Sequence, residues 1–122
     1  MESNLDIARR GYEAALAGDL DAVREFLAPD VRWHGGDPDA PGACRNRDQA
    51  LRFMGRAFSG PGPGELVDLI GAGDKVVVII RPVTDDGGLG EPVANLTTFR
   101  EGRVIEMVHY PNPGDALAAL DS

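Results

Sequence analysis

A chain of 122 residues suits one domain built around one hydrophobic core. Hydrophobic residues make up 43% and charged residues 26%, the balance of a folded globular protein, and no apolar run approaches the roughly 18 residues that would span a bilayer. The net charge of −8 repels phosphate backbones and anionic headgroups, which argues against nucleic acid and membrane as partners. A single cysteine, Cys44, rules out an internal disulfide. Met1–Asn4 lacks the basic-then-apolar pattern of a secretory signal, so the cytoplasm is the expected compartment.

The spacing of Leu5, Ala8, Tyr12, Ala15 and Leu16 predicts a first helix, with Ser3 or Asn4 as its N-cap and Gly18 as its stop. Asp19 can cap a second helix at once; Leu20, Val23, Phe26 and Leu27 share one face of it, and Pro29 ends it. Val31–His34 reads as a short strand before a Gly/Pro/Asp-rich loop from Gly35 to Arg45. Asn46 followed by Gln49 forms a capping-box signal for a third helix whose apolar face is Ala50, Phe53, Met54, Ala57 and Phe58. Ser59–Gly64 is a loop.

The remainder predicts strands at Glu65–Ile70, Lys75–Pro82, Val93–Arg100 and Arg103–Tyr110, with Asp115–Leu120 as a terminal helical turn. Glu101-Gly102 is a two-residue hairpin signal between the last two strands. The order places three N-terminal helices over an antiparallel sheet, an α+β domain covering residues 1–122. If Arg100 and Arg103 close the hairpin and pairing stays regular, residue 97 faces 106, 95 faces 108 and 93 faces 110. Alternation then puts Val93, Asn95, Thr97, Phe99, Val104, Glu106, Val108 and Tyr110 on one face and Leu96, Thr98, Ile105, Met107 and His109 on the other. Neither face is fully polar, so both are expected to be covered, one by the helices and the outer one by a second subunit in a homodimer. Asn95, mid-strand among apolar neighbours, is a satisfied core amide, an outward polar residue if the faces are reversed, or a donor to a ligand oxygen inside a pocket.

Tyr12–Val23, Leu27–His34, Asn46–Leu51, Gly73–Val78 and Thr98–Met107 resemble, in order, successive parts of SnoaL-like domains of the nuclear transport factor 2-like superfamily. That resemblance spans nearly the whole chain and implies a cone-shaped fold with a cavity between the sheet's concave face and the helices. It is specific for fold and weak for reaction, since the superfold hosts many activities.

Position by position, the resemblance puts Asn95 where cyclases and ketosteroid isomerases of the superfamily often carry a cavity-facing acid. It puts His109 where SnoaL-like cyclases and limonene epoxide hydrolases use an aspartate in acid–base work. A histidine is suited to that work near neutral pH, but simple alternation turns His109 away from Asn95 unless a bulge or bend near the strand end, such as one imposed by Pro111, reverses it. Two departures stand out. Gly35 occupies the place of the isomerases' proton-abstracting aspartate, with Asp37 and Asp39 arriving late, and Arg81 is followed by Pro82 and Val83 instead of completing the epoxide hydrolases' arginine–aspartate pair. Neither mechanism is carried over.

The expected site therefore has His109 as acid/base and Asn95 as carbonyl or oxyanion donor. Trp33, Tyr12, Met54, Phe58 and Val108 shape an apolar cavity for a small polyketide- or terpenoid-like molecule. His34 is expected to be partly exposed, Arg81 solvated, and Glu106 a structural carboxylate on the Asn95 face. No metal cluster, phosphate loop or cofactor motif is present, so any reaction is expected to be a cofactor-free isomerisation, cyclisation, dehydration or hydrolysis. The alternative is a non-catalytic ligand-binding or dimerisation module of the same fold.

Overall fold

The computed structural model describes residues 3–37, 39–57, 64–84 and 86–120. Three helices, α1 (Asn4–Leu16), α2 (Leu20–Phe26) and α3 (Arg47–Ala57), alternate with and precede five strands: β1 (Leu27–His34), β2 (Glu65–Ala72), β3 (Lys75–Arg81), β4 (Val93–Arg100) and β5 (Arg103–Tyr110). A fourth helix, α4 (Pro113–Leu120), closes the chain. Among the described residues, no helix is long and apolar enough to cross a membrane.

Local chemistry sets the helix ends. The Ser3 hydroxyl accepts from the Asp6 N–H and starts α1. At its end Gly18, at φ +78°, turns the chain left-handed, so that Gly18 N–H reaches Ala15 O and Asp19 N–H reaches Ala14 O. Asp19 then caps α2 through the Ala22 N–H. Asn46 caps α3 by accepting from the Gln49 N–H, and the Gln49 side chain accepts from the Arg45 N–H.

The sheet runs β1-β5-β4-β3-β2. Every pairing is antiparallel except β1 with β5, so the expected antiparallel sheet is mixed at one edge. The second helix also ends earlier than Pro29. Strand β1 begins at Leu27, and Pro29 falls in the stretch between Leu27 and Arg32 where register with β5 shifts. Proline has no N–H to give a ladder, and an irregular edge strand is where that loss is tolerated.

The β4–β5 hairpin carries the decisive irregularity. Its two-residue turn, Glu101 at φ +54° and Gly102 at φ +80°, matches strand twist as expected. Phe99 faces Val104, but Thr98 faces Glu106, so β5 contains one extra residue there. Thr97 then pairs with Met107, Leu96 with Val108, Asn95 with His109 and Ala94 with Tyr110. The regular pairing of 97 with 106 and 95 with 108 is thus replaced, and every β5 side chain beyond the bulge changes face.

Two apolar clusters result. On the concave side, α1, α2 and α3 bury Val31, Met54, Val76, Val78, Phe99, Val104 and Met107. On the outer side, Val77, Ala94 and Leu96 lie under Ala116 of α4, with Val108, Tyr110 and Leu117 packed around them. Both faces of the central strands are covered, and part of the outer cover comes from the chain's own C-terminal helix.

Candidate functional site

The concave face and the helices enclose a cavity of about 650 Å3, partly open to solvent. Tyr12 reaches it from α1, Trp33 from β1, Phe53 and Met54 from α3, Asn95 and Thr97 from β4, and Met107 and His109 from β5. Gly35, Gly42, Pro82 and Val83 contribute from the loops at the ends of β1 and β3. The indole of Trp33 meets Phe53 edge-on, with ring centroids 4.9 Å apart and planes at 78°. Its backbone pairs in both directions with Cys44, at 3.0 and 2.8 Å, which pins the far end of the 35–45 loop against β1.

One polar network crosses the apolar wall. Trp33 Nε1–H donates to Asn95 Oδ1 at 3.3 Å, and Asn95 is 3% exposed. With its carbonyl committed to the indole, the amide has its N–H2 to offer the Tyr12 hydroxyl. Burial pushes the Tyr12 phenol from the ordinary 10.0 up to about 12, and hydrogen bonding from Asn95 and Thr97 pulls it down by less. The hydroxyl therefore stays protonated across the physiological range and is available as a donor. Thr97 acts on that acidity from close by, yet its Oγ1 has no partner in good hydrogen-bond geometry and is shielded from solvent. A buried hydroxyl left so is costly unless a ligand or water completes it.

His109 sits across the ladder from Asn95 and lines the cavity. The parity that alternation denied it is restored by the bulge at the opening of β5, not by Pro111 at its end. The imidazole is half-buried and makes no hydrogen bond or ion pair among the described residues. By the same bulge Val108, expected on the cavity floor, is a correction: it lies on the outer face among the residues under α4. Glu106 also leaves the Asn95 face. Its Oε2 lies 3.0 Å from His34 Nε2.

His34 faces away from the Trp33 side as expected but is buried, not partly exposed. Its Nδ1 accepts from the Gly36 N–H at 3.0 Å, which leaves Nε2 to carry the proton donated to Glu106. Both nitrogens are committed, although the residue borders the cavity rim. Arg81 is likewise occupied: Nε donates to Gly90 O at 3.0 Å and Nη2 to Leu89 O at 3.2 Å, bracing the loop after β3. Phe58 falls outside the described residues. No cluster of three or more His, Cys, Asp or Glu side chains suited to a metal occurs among the described residues.

Thr97, Phe53 and Met107 line the cavity and were not singled out for it by sequence. Thr97 was within reach, since it shares the parity of Asn95. Met107 was not, because only the bulge turns it inward.

This cone, in which helices close over a curved sheet to leave a polar-seamed apolar pocket, is the architecture of nuclear transport factor 2-like proteins. The chain belongs to the SnoaL-like domain family, whose model matches residues 8–107. Among solved structures it is similar to Bal32a from a soil-derived mobile gene cassette, at 26% identity and a TM-score of 0.76 over 97% of this chain and 94% of that one. It is similar too to a candidate polyketide cyclase from Sinorhizobium meliloti (22%, TM-score 0.71, 85% and 93% covered). A candidate SnoaL-like polyketide cyclase from Jannaschia sp. CCS1 gives 22% identity and a TM-score of 0.69, with 98% and 92% covered. At 22% identity the last two establish fold alone. No curated protein matches the sequence.

Proposed function

We propose that this protein binds a small, largely apolar molecule in the concave cavity and performs cofactor-independent proton-transfer chemistry on it, of the cyclisation or isomerisation kind. The observation that carries the reading is the side-by-side placement of His109 and Asn95 on the wall of an apolar cavity of about 650 Å3. An imidazole without a competing partner among the described residues can take up or deliver a proton at the ligand. Asn95 and the Tyr12 hydroxyl offer donors to an oxygen on which negative charge develops. Trp33, Phe53 and Met54 supply the apolar walls. The names of the two cyclase candidates agree with a polyketide-like ligand; the size and apolar lining of the cavity fit a terpenoid equally.

One observation favours a second reading, a ligand-binding module without turnover. His109 has no described side chain to fix its tautomer, and a catalytic imidazole is commonly oriented by one. Screening polyketide-like and terpenoid compounds for turnover, with His109→Ala and Asn95→Ala alongside, separates the two. The catalytic reading expects turnover of at least one ligand to fall by ~100-fold or more in His109→Ala while its binding persists. Ligands that bind tightly yet are returned unchanged by the native protein would leave the binding reading standing instead.

A further inference from the structure

We propose that His34 and Gly36 form a proton-operated latch on the cavity rim: a neutral imidazole holds the first residues of the loop after β1 in place, and a second proton on His34 releases them. The latch stands apart from the reaction proposed above; its effect on ligand exchange rests on the pocket reading.

The imidazole is the fixed half. Its side chain is 6% exposed, and Nε2 donates to Glu106 Oε2 at 3.0 Å. Nδ1 accepts from the Gly36 N–H at 3.0 Å, which a ring nitrogen can do only while it carries no proton of its own. Glu106, from β5, is the only charged group in ion-pair range of the ring among the described residues. Of the helices packed on β1, α3 brings Arg47, Asp48 and Arg52 and the end of α2 brings Arg24 and Glu25; Arg24 and Asp48 pair with each other at 3.5 Å. Arg32 of β1 itself and Asp37 of the loop are exposed.

A proton on Nδ1 turns the acceptor into a donor and sets two N–H groups against each other. The same proton makes the ring a cation, which the Glu106 carboxylate holds more tightly. The ring therefore stays and the loop yields. Gly35 and Gly36 are suited to yielding. Both are exposed, a Cβ on either would meet nothing within 4 Å, and the φ of +122° at Gly36 is one that glycine takes or leaves without strain. The movement reaches the cavity because Gly35 lines it. It stops at Cys44, whose two backbone bonds to Trp33 involve no titratable group.

Amide hydrogen exchange at pH 8 and 5.5, on either side of the point at which an imidazole ordinarily titrates, tests the latch. The protection factor of Gly36 should fall by ~5-fold or more at pH 5.5, the loss of one hydrogen bond, while those of Trp33 and Cys44 hold. In His34→Asn, checked for native circular dichroism, a side-chain carbonyl that does not titrate can accept from the same N–H two residues on. Gly36 should then stay protected at both values. Unchanged protection in the native protein, or an equal loss at Cys44, overturns the latch, and a loss that persists in His34→Asn overturns His34 as its sensor. Release of 2-acetylnaphthalene, a ketone uncharged at both values, should be ~2-fold or more faster at pH 5.5 in the native protein but not in His34→Asn. Equal acceleration in both overturns the effect on exchange and assigns it to His109. No binding of the ketone at pH 8 counts against the pocket reading, and the latch is then decided by the Gly36 amide alone.

Discussion

The two faces of the β4–β5 hairpin are made from the same consecutive residues, Val93–Tyr110, yet they treat polar groups in opposite ways. On the outer face, His34 and Glu106 satisfy each other, the remaining His34 nitrogen takes the Gly36 N–H, and α4 covers the apolar remainder. On the concave face, Asn95 is paired within a network that ends in a phenol, while Thr97 Oγ1 has no partner in good hydrogen-bond geometry and the His109 ring has none among the described residues. Titratable groups alone do not locate a site. Polar groups that the fold has left incomplete, facing a space large enough for a ligand, do so far better.

That contrast depends on the bulge, and adjacent substitutions on β5 can break it. Met107, 2% exposed on the concave side, should cost about 3 kcal/mol when cut to Ala, by lost burial and the void left behind. The same truncation at the half-buried Val108 should cost about 1 kcal/mol. Urea denaturation of both variants checks the order; a larger loss at Val108 would mean that the strand runs in the regular register after all.

The concave network can be sharpened through pH. The folded protein holds the Tyr12 proton up to about 12, whereas the unfolded chain releases it near 10.0. Between those values the unfolded state binds fewer protons, so stability falls as pH rises, by about 3 kcal/mol in all, and Tyr12 contributes no slope below that window. Denaturation of the native protein and Tyr12→Phe at pH 9 and 11.5 should therefore show the stability gap closing in favour of the variant at high pH. Parallel losses in both would place the phenol in water.

The smallest effect is expected on the outer face. Glu106, about two-fifths exposed along its side chain, shares its pair with solvent, so Glu106→Gln should change stability by less than about 1 kcal/mol. Calorimetry with 2-acetylnaphthalene should give the native affinity. A marked loss of binding would instead tie the His34–Glu106 pair to the cavity.

Much of this was legible in the chain. Ser3, Gly18-Asp19 and Asn46 with Gln49 announce helix ends because capping is local chemistry, and Glu101-Gly102 announces the hairpin because few other residue pairs tolerate two left-handed positions. Asn95, Tyr12, Trp33 and Met54 were placed on the cavity through the resemblance and through simple periodicity, both of which survive in regular elements. Val108 and Glu106 were misplaced because a single extra residue in β5 reverses alternation, and Val104-Ile105-Glu106 carries no glycine or proline to mark it. The burial of His34 was hidden for another reason: its partner lies 72 residues away, on a strand whose face was misread. The parallel pairing of β1 with β5 is likewise a long-range outcome that no local pattern encodes.

The central claim is that His109 faces the ligand cavity while His34 is held by the outer pair. The protein has only these two histidines, so imidazole resonances in a heteronuclear NMR spectrum can be assigned with one variant and followed during titration with 2-acetylnaphthalene. The account predicts that the His109 ring signals move with ligand and the His34 signals move less or stay fixed. Movement of His34 while His109 stays fixed, or of neither at saturation, would contradict it.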